Sequence, residues 1–190
     1  MTPVAALLDA NVLYPAALRD LLLQLAFAGF YRARWSAEID EEWKRNLLAA
    51  RPELAAKIER TQAVMRRAIP DALVTGYESQ IPNLILPDIG DRHVLAAAIT
   101  AEAEVIVTFN TKDFPAAALT PHGLVAQHPD VFLQGFIAET PSLFLAAIKQ
   151  CLARLVSPPV AAAGYLETMR RIGLPETTAF LQTNLVGWQP

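Results

Sequence analysis

The chain is poor in the features that announce many common chemistries. Cys151 is its one cysteine in 190 residues, so an intramolecular disulfide and a cysteine-based zinc site are both excluded. No GxxxxGK[ST] loop or GxGxxG turn occurs, which argues against nucleotide-triphosphate or dinucleotide use. No apolar run is long enough to span a bilayer and no leader-like segment opens the chain, so the expectation is a soluble cytoplasmic protein. His93, His122 and His128 have no evident serine or cysteine partner, leaving no nucleophile system to read. Charged residues are only 18% against 53% hydrophobic, which excludes a disordered acidic tail and favours a compact, helix-rich body. A basic excess is missing too, with 16 basic and 19 acidic residues and a net charge of −3. That balance argues mildly against a dedicated nucleic-acid binder, although bound divalent ions would cancel several acids and a local basic stripe still steers a polyanion.

What is present reads as alternating strands and helices. Residues 4–9 form an apolar strand ending at Asp9, and Pro15 opens an apolar helix to about Phe30. Ser36 caps a helix from Ala37 to about Ala50 with Ile39, Trp43 and Leu47 as its buried stripe. Pro52 starts an amphipathic helix to Ile69, followed by short strand candidates at Ala72–Thr75 and Leu84–Leu86. Asp88 is placed as the cap of an alanine-rich helix through Glu102, ahead of a strand at Val105–Phe109 and a weaker one at Leu124–Ala126. The order predicts an α/β sandwich with a mainly parallel sheet over residues 1–128. From residue 129 to 190 strand signals stop, and apolar helical stretches broken at Pro141, Pro158-Pro159 and Pro175 predict a helical extension.

Acids recur where this sheet should expose a crevice. Asp9 ends the first strand, and Asp113 follows the Val105–Phe109 strand. Side chains beyond the carboxyl ends of parallel strands line the ligand site of such folds. Converging carboxylates repel one another and call for a cation, and an all-oxygen site suits Mg²⁺ or Mn²⁺. Each acid also has a plainer reading. Asp9 fits a turn, Asp88 and Asp91 fit a helix cap, and Asn110 fits the cap of a short helical turn. Glu38, Glu41 and Glu42 fit a solvated helix face. Glu41 is spaced to pair with Arg45, whereas Glu42 beside Trp43 is better placed to aim inward. His93, inside a helix expected to pack on the sheet, reads as structural.

Taken together the motifs resemble the PIN-domain ribonucleases, and in particular the VapC-type toxins. The resemblance rests on Leu8-Asp9-Ala10-Asn11-Val12-Leu13, on Trp35-Ser36 leading to Glu42-Trp43, and on Leu86-Pro87-Asp88-Ile89-Gly90-Asp91-Arg92-His93-Val94-Leu95-Ala96-Ala97-Ala98. It ends with Val107-Thr108-Phe109-Asn110-Thr111-Lys112-Asp113-Phe114-Pro115. It implies a PIN-like three-layer α/β/α sandwich with a C-terminal helical extension. It also implies a Mg²⁺- or Mn²⁺-dependent endoribonuclease acting on tRNA, rRNA or mRNA, with a cognate antitoxin partner, no membrane association and scope for a homodimer. Carried over by position, Asp9, Glu42, Asp91 and Asp113 would be the catalytic, metal-binding quartet. Asn11, Asp88, Arg92, Thr108, Asn110 and Lys112 would support those ligands or touch phosphate. The family often has an acid where Asn110 stands, so whether Asn110 or Asp113 completes the site is left open.

An antitoxin would lie across the first helices, with Leu21, Leu22, Leu25, Phe27 and Trp43 as the candidate groove, or these residues form core. The competing reading is a catalytically weak PIN-like module that binds RNA or regulates. A phosphatase or response-regulator-like protein also places acids at strand ends, but no lysine stands in the last-strand position it would need.

Overall fold

The computed structural model describes residues 3–154 and 162–185. Among them, five strands form one parallel sheet in the order β3-β2-β1-β4-β5. The strands are β1 (Ala5–Leu8), β2 (Arg32–Ser36), β3 (Leu73–Val74), β4 (Val105–Val107) and β5 (Val125–Gln127). Helices cover both faces, as a parallel sheet requires. They are α1 (Ala10–Leu13), α2 (Ala16–Phe27), α3 (Ala37–Ala50), α4 (Ala55–Ala68), α5 (Arg92–Thr100) and α6 (Ala116–Leu119). The result is the expected three-layer sandwich.

The central strand is the most apolar one. All four residues of β1 are fully buried, and the strand pairs with β2 on one side and β4 on the other. Alanines at 96, 97 and 98 let α5 lie close on β1, β2 and β4. The chain winds outward from β1 to β2 to β3, then crosses back to place β4 on the other flank of β1. The winding direction therefore reverses between β1 and β4. Their carboxyl ends open the crevice where ligands bind in folds of this kind.

Past residue 128 the described residues hold helices alone: α7 (Pro129–Glu139), α8 (Pro141–Arg154), α9 (Ala162–Arg171) and α10 (Pro175–Asn184). The expected break at Pro158-Pro159 lies outside the described residues. The extension is fixed to the sandwich at three places. An aromatic cluster joins α7 to the loop before β2, with Tyr31–Phe132 centroids 5.0 Å apart and Phe30–Phe136 5.5 Å apart. Helix α8 packs along α2, where Gln24 Nε2 donates to Gln150 Oε1 at 2.7 Å. The turn between α9 and α10 sits on Phe109, the residue that follows Thr108 at the end of β4. There Gly173 has φ +93°, a left-handed conformation that side chains disfavour.

Several elements differ from the reading of the sequence. Strand β2 was not expected, although Arg32-Ala33-Arg34-Trp35 alternates polar and apolar as a strand should. Leu84–Leu86 is not a strand. Leu84 and Leu86 are buried while Ile85 is 82% exposed, and Pro82 and Pro87 flank a segment that joins no ladder. Pro15 stands at the cap of α2 rather than inside it, and the helix stops at Phe27. A short 3-10 turn at Pro52–Leu54 precedes α4. The alanine-rich helix begins at Arg92, so Asp88 does not cap it; its Oδ1 instead accepts from Gly90 N at 2.7 Å. Glu41 pairs with Lys44, not Arg45. Leu21, Leu22, Leu25 and Trp43 are fully buried and belong to the core, which removes them from any groove. Of that set only Phe27 is open, at 69% exposure.

Candidate active site

Asp9 leaves β1 in extended conformation and its backbone continues the ladder, with Asp9 N donating to Val107 O. Its carboxylate is buried and held by three donors. Oδ1 accepts from Ala10 N at 2.6 Å; Oδ2 accepts from Asn11 Nδ2 and Thr108 Oγ1, each at 2.7 Å. A carboxylate offers about four lone-pair sites, so Oδ2 is filled and Oδ1 keeps one direction free. Asp9 thus does serve the turn into α1, as its plainer reading held, and still has acceptor capacity to spare.

The partners of Asp9 are themselves fully committed. The Thr108 hydroxyl donates to Asp9 and accepts from Asn11 Nδ2 at 2.9 Å and from Asn110 N at 3.0 Å. Asn11 Oδ1 accepts from Phe109 N at 3.1 Å, which settles the orientation of the amide. This network ties the end of β1 to the end of β4 through Asn11 and Thr108. The Asn110 side chain is exposed and makes no cap bond to the turn at Thr111–Asp113; its contribution to the network is its backbone N–H.

Asp91 comes from the N-terminus of α5 and Glu42 from the second turn of α3. Asp91 stands at the cap position of α5 but its side chain makes no capping bond, so capping does not account for it. Burial first, then the charges of Asp9, Asp88, Asp113 and Glu42, push its carboxyl up to about 6. Burial also raises Asp9, with Glu42 adding to the rise while the Thr108 and Ala10 hydrogen bonds and His93 oppose it. Asp91 therefore feels all four of the other acids, Asp113 among them, and Asp9 feels Glu42. The acids stop short of a shared shell: among the described residues no three of His, Cys, Asp and Glu are grouped closely enough to hold a metal ion. Closing that gap works against Coulomb repulsion between carboxylates, which only a cation offsets. The donors are all hard oxygens, the set that Mg²⁺ and Mn²⁺ prefer, and Asp9 has a free lone-pair direction. By its chemistry the cluster fits such an ion.

Neither Arg92 nor Lys112 lies within ion-pair distance of an acid among the described residues. Lys112 is exposed, and Arg92 is partly buried with its Nε lacking a hydrogen-bond partner. Two side chains the sequence reading left aside do reach the acids. His93 is buried with Nε2 3.5 Å from Glu42 Oε2. Tyr77 Oη donates to Glu38 Oε2 at 3.4 Å.

The similarity searches agree with this architecture. A model described as "PIN domain" matches residues 5–112, more than half of the chain. The chain belongs to the PIN-domain family. A second model, "VapC50 C-terminal domain", matches residues 129–183. A Mycobacterium tuberculosis protein named "Putative ribonuclease VapC50" is 36% identical over 103 residues, covering 53% of this chain and 61% of that relative. The matched span is thus less than two thirds of the relative's length. No solved structure matches. The second match falls on the helical extension of α7 to α10. No described helix is long and apolar enough to cross a membrane.

The clustered acids carry a stability signature. Asp91 has a folded-state value of about 6 against an ordinary 3.8, so between those values the native chain holds a proton that the unfolded chain lacks. Stability from this group is therefore lowest above pH 6 and improves as pH falls towards 4. Asp91→Asn, which removes the penalised charge, is expected to raise the melting temperature of metal-free protein at pH 7.5, with the gain shrinking towards pH 4. Thermal melts across that range check both signs. An Asp91→Asn protein that melts lower than wild type at pH 7.5 would contradict the crowding of these acids.

Proposed function

We propose that the chain is the toxin component of a type II toxin–antitoxin pair, a Mg²⁺- or Mn²⁺-dependent endoribonuclease that hydrolyses RNA phosphodiester bonds. What supports this reading is that Asp9 is held by Asn11 and Thr108 at the ends of β1 and β4 with an acceptor direction to spare, and that Asp9, Asp113 and Glu42 each act electrostatically on Asp91. The four would hold the divalent ion. Once bound, the ion supplies charge neutralisation and Lewis acidity towards phosphate.

The chain's own residues have distinct parts in this reading. Asn11 and Thr108 fix the Asp9 carboxylate so that its free lone pair faces a set direction. Glu42, whose side chain on α3 is 32% exposed, is the acid with room to take a proton from an attacking water as general base. Asp88, exposed on the turn before α5, adds negative charge beside Asp91. Arg92 and Lys112 are the cations available to an incoming phosphate. Asn110 contributes its backbone to Thr108 and leaves the fourth ligand to Asp113. The products would be a 5′-phosphate and a 3′-hydroxyl.

The relative's name supports ribonuclease chemistry, and the VapC resemblance supports an antitoxin partner, a cytoplasmic setting and scope for a homodimer. The same reading divides the chain into a nuclease unit over residues 1–128 and a helical extension over 129–190. The competing reading is a PIN-like RNA-binding or regulatory module with weak turnover; it draws on the neutral Asn110 and on the absence of a tight three-acid group among the described residues. Incubating the purified chain with a mixed pool of tRNA, rRNA and mRNA, with Mg²⁺ or Mn²⁺ and with EDTA, separates the two. Metal-dependent fragments bearing 5′-phosphates are expected. RNA binding without cleavage under any metal would favour the regulatory module.

A further inference from the structure

Of the four proposed ligands, Glu42 is the least restrained by its surroundings. Asp9 is gripped by three hydrogen bonds, and Asp91 and Asp113 carry short side chains on the first turns after their strands and loops. Glu42 has an extra rotatable bond, and fixing a glutamate side chain costs up to about 2 kcal/mol in rotamer freedom. Among the described residues one basic side chain lies within 4 Å of its carboxylate: His93, with Nε2 3.5 Å from Glu42 Oε2.

The imidazole is well placed for that contact. His93 is the second residue of α5, only 7% exposed, with Val94–Ala98 behind it in the core. Its other nitrogen, Nδ1, is 3.8 Å from Glu38 Oε2 and has no hydrogen-bond partner. Glu38 and Glu42 stand one helical turn apart on α3, where like charges repel. The ring of His93 therefore sits across two successive turns of α3. Glu38 Oε2 also accepts from Tyr77 Oη, and of the two ring nitrogens Nε2 makes the closer approach, at ion-pair distance from Glu42.

We propose that His93 is a positioning residue, whose Nε2–H fixes the Glu42 carboxylate towards the cluster formed by Asp9, Asp91 and Asp113. This rests on the metal-dependent reading of the acids. It assigns work to a histidine whose place in a buried helix looks purely structural. Partners of this outer kind change metal affinity by about 10- to 100-fold when removed.

The test is Mn²⁺ binding by titration calorimetry on the full chain, without RNA. His93→Phe keeps the ring volume and loses the N–H; its Mn²⁺ affinity is expected to fall roughly 10- to 100-fold. His93→Gln places an N–H at nearly the reach of Nε2 and should stay within about threefold of wild type, whereas His93→Asn, which mimics Nδ1, should behave like His93→Phe. In a Glu42→Gln background, His93→Phe should have no further effect, because the two residues act as one unit. A folded His93→Phe protein with wild-type Mn²⁺ affinity overturns the proposal, and so does an equal loss in the Glu42→Gln background, which would mark a packing effect. If His93→Phe does not fold, equal affinities of the Gln and Asn variants overturn it. Normal Mn²⁺ binding that Asp9→Asn abolishes and every His93 variant retains sinks this inference alone. A wild-type chain that binds no Mn²⁺ sinks the metal-dependent reading together with it.

Discussion

Asp9→Asn should abolish RNA cleavage by at least about 100-fold while leaving the fold in place. The lower bound follows from the cost of losing a residue that only orients a metal ligand, about 10- to 100-fold; losing a ligand itself must cost more. The fold should survive because the amide oxygen of an asparagine can still accept from Ala10 N, as Asp9 Oδ1 does. The other oxygen becomes an NH₂ group facing two donors: Asn11 Nδ2, and a Thr108 hydroxyl whose lone pairs Asn11 Nδ2 and Asn110 N already occupy. Each conflict costs about 1 to 3 kcal/mol, partly returned by removing a buried charge whose ionised form burial already disfavours. Cleavage rates on a fixed RNA, read beside far-UV circular dichroism, separate loss of chemistry from loss of structure. A folded Asp9→Asn protein with wild-type rates would remove Asp9 from the site.

Asp130→Ala should lower the melting temperature by roughly 5 to 15 °C and loosen the end of the extension first. Asp130 is buried at the start of α7 and reaches across to the N-terminus of α10. Its Oδ2 accepts from Glu176 N and its Oδ1 from Thr177 N, both at 2.9 Å. Pro175 precedes them with no N–H to satisfy, and Thr178 N already donates to Leu174 O. One carboxylate from 46 residues away thus completes the cap of α10. Removing it strands two amides, each costing about 1 to 3 kcal/mol. For a chain of this size a kcal/mol is worth about 2 to 4 °C. Hydrogen exchange should show α10 losing protection before β1 does. An unchanged melting temperature would mean that the aromatic cluster of Tyr31, Phe132 and Phe136 and the α2–α8 contact hold the extension without it.

How far each of these features could be read from sequence depended on how local its cause is. Asp9 was legible because an apolar run ended on it, and the start of α3 was legible because Ser36 accepts from Ile39 N three residues on. Strand β2 escaped because Arg32 and Arg34 interrupt the apolar run that marked the other strands. In the fold those arginines stand on one face while Ala33 and Trp35 are buried on the other. Leu84–Leu86 misled in the opposite sense, since three apolar residues read as a strand although no neighbour was left to pair with them. The contacts that define the site bridge long intervals. Asn11 meets Thr108 across 97 residues, and Glu42 meets His93 across two helices. No local pattern encodes such meetings; the first follows from β4 returning to the flank of β1, and the second from α3 and α5 both packing on β2. Motif order alone brought Asp9, Glu42, Asp91 and Asp113 to attention, yet it gave His93 no role.

The placement of the extension bears on function through Phe109. That residue leaves β4, donates its N–H to Asn11 Oδ1, and packs edge-on against His128 with centroids 5.1 Å apart. Gly173 from the extension lies against Cε1 of the same ring. The helical tail therefore borders the network that holds Asp9, and a disturbance of the turn at Gly173 has a short route to the site.

The central claim is that distant acids gather around one divalent ion. Diffraction from crystals soaked in Mn²⁺, recorded at a wavelength where manganese scatters anomalously, tests it most directly. The account predicts one strong peak at the carboxyl ends of β1 and β4, at roughly 2.0 to 2.3 Å from oxygens of Asp9 and Asp91. An empty crevice at millimolar Mn²⁺, or a peak confined to some other part of the surface, would contradict it.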